Sequence, residues 1–181
     1  MLTGWPAQAW HHAERAIQHA ESLALLTAGL AQYRARSTPI LLPFFLSFLA
    51  TAALRQGQSA DALHVIDEAL RLTATNFDCF WEAELHRLRG ELLLLQAGNK
   101  PLGTGQGTAA ACFQQALAIA RQQGAKALEL RAAISLSRLW QTQGQHDAAR
   151  ALLAEMYGWF TEGFDTADLQ EARALLNDLS S

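Results

Sequence analysis

The stretch GQSADALHVIDEAL, residues 57–70, carries the pattern that decides the fold. A glycine is followed five positions later by the small residue Ala62. Apolar residues then recur at Ile66, Ala69 and Leu70, four, seven and eight positions beyond it. That spacing traces one face of an α-helix. The glycine ahead of it suits the left-handed backbone with which helices commonly end. Residues 4–17, GWPAQAWHHAERAI, align without a gap: Gly4 with Gly57, Ala9 with Ala62, Ala13 with Ile66, Ala16 with Ala69 and Ile17 with Leu70. Residues 144–157, GQHDAARALLAEMY, place Gly144, Ala149, Leu153 and Met156 in the same register. TAAACFQQAL, residues 108–117, adds Ala109, Phe113, Ala116 and Leu117, its Gly98 being displaced by the insertion NKPLGTGQG. Helix, glycine turn and helix make a hairpin that cannot cover its own apolar face, so hairpins stack.

The reading is therefore an all-α chain of about seven or eight helices, arranged as a tetratricopeptide (TPR)-like superhelical array. Ala62 to Ala109 is 47 residues and Ala109 to Ala149 is 40, longer than the roughly 34 of the common TPR unit. Helices are expected near 39–56, 59–74, 77–97, 108–123, 125–143, 146–161 and 166–179, with Thr38, Ser59, Thr108 and Asp165-Thr166 as start signals. Residues 1–36 form one helix or two; 38–75, 77–124 and 125–162 read as hairpins; 165–180 reads as a capping helix, all in one domain.

Composition agrees. Of 181 residues, 50% are hydrophobic and 17% charged, and Ala, Leu, Gln, Glu and Arg favour helices. A net charge of −3 without a basic block speaks against nucleic acid as the main partner. Cys79 and Cys112 form no CxxC pair, which fits a reduced, cytoplasmic setting. Met1-Leu2-Thr3-Gly4 has no basic n-region, so no signal peptide is expected. The uncharged stretch 37–54 is at the lower edge of membrane-spanning length. It holds Pro39, Pro43, Ser47 and Thr51 and keeps the repeat register, so it reads as a buried repeat helix.

With FWEAELHRLRGELLL, residues 80–94, a resemblance becomes specific. The chain resembles the C-terminal TPR-like region of large bacterial signalling proteins: adenylate or guanylate cyclases carrying an ATPase module, and LuxR-type regulators. It continues through residues 111–144 and 151–176 and covers about 28–179. The resemblance implies a helical sensor or interaction segment that regulates an attached output domain. These 181 residues themselves carry no cyclase, P-loop or DNA-binding motif.

No catalytic constellation is expected. HExxH and G-x-S-x-G are absent, the six histidines have no partner at metal spacing, and Lys100 precedes its glycines instead of following them as in a phosphate loop. No cofactor or metal is expected. In a TPR register the first helices of successive pairs line a concave groove. Its positions would be Glu84, Arg87 and Glu91 in one pair, Arg131, Arg138 and Gln141 in the next, and Phe44, Ser47 and Thr51 in the preceding one. Such a mixed-charge wall suits a peptide carrying a carboxylate, which Arg binds bidentately; an ordinary solvated helix face is the plainer alternative. Trp81, Trp140, Tyr157, Trp159 and Phe160 are expected in the core. Trp5 and Trp10, on a first repeat with no preceding neighbour, mark a possible homodimer surface. The expected function is non-catalytic binding of a protein or peptide; a small-ligand sensor and a homodimerisation module are the alternatives.

Overall fold

The structure is a computed structural model, and it describes residues 28, 30, 42–55, 59–76, 79–98 and 105–180. Among these residues the chain is all-helical, with seven helices and no strand. They are α1 (Leu42–Arg55), α2 (Ser59–Asn76), α3 (Glu82–Ala97), α4 (Gln106–Gln123), α5 (Lys126–Thr142), α6 (His146–Tyr157) and α7 (Ala167–Asp178). None of the described helices is long and apolar enough to cross a membrane. Contacts divide the chain into two compact units, Met1–Cys79 and Phe80–Ser181.

In the first unit α1 and α2 pack together. α1 carries no charge before Arg55 and buries Leu42, Leu46, Phe48, Ala50, Ala52 and Ala53. Its hydroxyls turn back onto its own carbonyls: Ser47 Oγ donates to Phe44 O at 2.6 Å and Thr51 Oγ1 to Ser47 O at 2.8 Å. α2 buries Ala62, Ile66 and Ala69, the stripe that the 57–70 pattern marks out. Residues 1–27, Trp5 and Trp10 included, lie outside the described residues, as does the start signal Thr38.

In the second unit each helix packs on the next, from α3 through α7, and alternate helices also meet: α3 on α5 and α5 on α7. α3 and α4 approach closely at Gly90, where a β-carbon would land inside contact distance of the buried Phe113 ring. The core runs from Ala109, Phe113, Leu136 and Leu139 to a larger cluster that includes Ala133, Ala149, Leu153, Leu169, Ala172 and Leu175. Trp140 touches both clusters.

Two helix ends share one device. At Gly124 (φ 66°) the glycine N–H reaches Arg121 O at 3.1 Å, and the next N–H, of Ala125, reaches Ala120 O at 2.9 Å. At Gly144 (φ 75°) the glycine N–H reaches Gln141 O at 3.1 Å, and Gln145 N–H reaches Trp140 O at 2.8 Å. This pair of bonds satisfies carbonyls that the ending helix leaves open, and the left-handed turn it needs favours glycine.

The repeat reading is corrected in places. Gly98, read as the displaced counterpart of Gly144, has φ −57° and is right-handed. α4 starts at Gln106, after a left-handed Gly105, so Thr108 lies inside the helix and does not start it. α3 begins at Glu82 behind a short 3₁₀ turn, Cys79–Trp81, instead of near 77. α6 stops at Tyr157, and Trp159 is 59% exposed where a core position was expected. Tyr157 and Phe160 do pack against the core, though only partly buried.

Candidate functional site

Three helices build one charged cleft. It is lined by Arg87 and Glu91 from α3, by Arg131, Ile134, Ser135 and Arg138 from α5, and by Asp168 and Glu171 from α7. Its volume is about 70 Å³. Helical spacing explains the grouping: 84, 87 and 91 form a stripe on α3, 131, 135 and 138 on α5, and 168 and 171 on α7, and residues three or four apart share a helix face.

At the base lies Glu84, only 1% exposed. Arg87 grips it with two parallel bonds, Nε to Oε2 at 3.0 Å and Nη2 to Oε1 at 2.7 Å. Arg131 approaches the same carboxylate from α5, Nη2 lying 3.4 Å from Oε1. The third Arg87 nitrogen, Nη1, lies 3.4 Å from both Glu91 Oε1 and Ser135 Oγ, and Ser135 donates to Glu91 at 2.6 Å. Farther out, Arg131 Nε stands 3.8 Å from Asp168 Oδ2, and Arg138 Nη1 meets Glu171 Oε1 at 2.7 Å.

Titration follows from this geometry. Burial alone would push the Glu84 carboxyl up, but Arg131 and Arg87 outweigh it and hold it below the ordinary glutamate value. Burial opposes the charge on Arg87, and Glu84, Glu91 and Asp168 more than restore it, so its guanidinium stays charged. Asp168 goes the other way. Burial pushes its carboxyl up, Glu84 and Glu171 add to that, and Arg131 and Arg87 offset only part of it.

Of the nine groove positions expected from sequence, the structure brings together five, in unequal roles; Phe44, Ser47 and Thr51, on α1, are not among the lining residues. Glu84 lies beneath the wall as its buried anchor, while Arg87, Glu91, Arg131 and Arg138 line it. Gln141, on the last turn of α5, is not among the lining residues. Sequence reasoning missed Ser135, Asp168 and Glu171. A signal was available for the last two: they sit three apart on α7, beside the buried stripe Leu169, Ala172 and Leu175, and reading that helix as a cap assigned its polar face to solvent. On α1, Ser47 and Thr51 spend their hydroxyls on their own helix. Among the described residues no group of three or more His, Cys, Asp or Glu could hold a metal ion.

No protein-family model matches the chain. It is similar to an uncharacterized protein of Rhizobium meliloti (strain 1021), 32% identical over 139 residues. Those residues are 77% of this chain and 12% of that relative, whose full length therefore exceeds a thousand residues. The chain thus spans about an eighth of the relative it matches.

Proposed function

We propose that this chain is a non-catalytic, TPR-like interaction module whose cleft receives a segment of a partner protein. The observation that carries the reading is the source of the lining: every lining residue comes from α3, α5 or α7, the alternate helices that pack on one another. Alternate helices sharing one face are what a stack of hairpins produces, and they make an extended surface. In this reading α7 is the capping helix. Leu169, Ala172 and Leu175 face inward, while Gln170, Arg173, Asn177 and Asp178 are exposed. In the rhizobial relative, which exceeds a thousand residues, the matching segment is one part of a larger protein.

A cleft of about 70 Å³ is small beside the roughly 300–1,000 Å³ of small-molecule pockets, which favours a partner's side chains over an enclosed ligand. Peptide display tests the reading. Random 12-residue peptides selected on the immobilised chain are expected to yield a consensus whose affinity changes at least about tenfold in Arg138→Glu. Arg138 is 56% exposed, and surface changes of this kind rarely disturb folding. Peptides that bind both proteins equally, or a selection with no consensus, would overturn the proposal.

A further inference from the structure

The charges of the cleft do not fit the carboxylate partner that its arginines first suggest. Each arginine is already matched. Arg87 is held bidentately by Glu84, Arg131 lies between Glu84 and Asp168, and Arg138 is bonded to Glu171. The three arginines face four carboxylates, Glu84, Glu91, Asp168 and Glu171, so the cluster carries one net negative charge. The least compensated member is Asp168: Arg131 Nε stands 3.8 Å away, past hydrogen-bond reach, while the Asp168 side chain is about two-thirds buried.

An incoming anion would share Arg138 with Glu171 and add a further negative charge beside Asp168, in a cluster that already holds one carboxylate more than it holds arginines. An incoming cation disturbs no existing pair and relieves the excess. We infer that the partner segment presents a basic side chain, lysine or arginine, which docks between α5 and α7 against Asp168 and Glu171. The inference rests on the interaction-module reading above and names the chemistry of its partner. The raised Asp168 carboxyl agrees with it. The groups around that carboxyl are Arg131 on α5, Glu84 and Arg87 on α3 and Glu171 on α7, and a further cation would bring it back down. Binding is accordingly expected to weaken as pH falls through the raised Asp168 value, because the carboxylate is lost.

The same display selection separates the outcomes. The expected consensus contains Lys or Arg at one fixed position. Replacing that residue by Gln in the peptide, or Asp168 by Asn in the protein, each lowers affinity about tenfold. The two changes together cost little more than either alone, the mark of a direct pair. A thermal melt of Asp168→Asn matching wild type keeps the result from being one of folding. An acidic consensus would overturn this inference and leave the interaction module standing. No consensus would overturn both. A basic consensus indifferent to Asp168→Asn would overturn the docking position.

Discussion

Two buried glutamates, Glu84 and Glu129, look equivalent on their own and differ in everything around them. Each is 1% exposed, each meets two cations, and each is held below its ordinary value by those cations against the opposing effect of burial. Glu129 bonds Arg121 Nε at 2.8 Å and Lys126 Nζ at 2.7 Å, drawing the end of α4 and the start of α5 together across the Gly124 turn. Both cations are a third or more in water, and Lys126 also lies over the Trp159 ring at 5.5 Å. Glu84 instead holds Arg87 and Arg131, 13% and 16% exposed, on two different helices. One glutamate staples a turn. The other joins the floor of a cleft. Burial of the acid is thus a poor guide to its worth; the burial of its cations decides, since a stranded charge costs most where water cannot reach it.

Glu84→Gln is the strongest way to break the comparison. It leaves Arg87 and Arg131 with an unmatched charge and is expected to cost about 3–5 kcal/mol in urea unfolding. Glu129→Gln keeps a hydrogen-bonding side chain beside two hydrated cations and should cost about 1–2 kcal/mol. A similar loss at both sites would show that cation burial does not matter. Arg138→Ala removes a pair in which both partners are well exposed and should change stability by no more than about 1 kcal/mol.

Acid sharpens the contrast without mutation. Glu84 and Glu129 have lowered values, so their stabilisation is complete above the ordinary glutamate value and is lost as pH falls below it. Asp168 is raised, so its ionisation works against folding once pH climbs past the ordinary aspartate value. Asp168→Asn should therefore melt at or slightly above the wild-type temperature at neutral pH, and the difference should vanish in acid. A clear fall in melting temperature would show that the 3.8 Å approach to Arg131 outweighs the burial of the carboxylate.

Much of this was legible in the sequence because helical period and glycine placement are local. The stripe Ala62, Ile66 and Ala69 and the turn at Gly144 came out as read. Mutual pairing of Glu84, Arg87 and Glu91 was legible too, since residues three and four apart must meet on a helix. Ends were harder. Gly158, directly after Tyr157, is a local stop signal for α6 that the reading to 161 passed over, whereas nothing local marks that α4 starts before Thr108, because a left-handed glycine at 105 depends on how the chain must turn. The α7 carboxylates were hidden for a different reason. Asp168 joins Arg131 only because α5 and α7 lie side by side, and that adjacency belongs to packing.

The side-by-side placement of alternate helices also bears on how the second unit comes apart. A stack held only by neighbours would shed its last helix without disturbing the one before the previous. Here Arg131 reaches both Glu84 on α3 and Asp168 on α7, so a side chain in the middle helix registers the state of both outer ones. Losing α7 strips a carboxylate from Arg131 and from Arg138 and also uncovers the apolar residues beneath Leu169, Ala172 and Leu175. Amide exchange in α5 is therefore expected to rise when α7 is loosened, so that the unit opens in a coupled step in place of peeling one helix at a time.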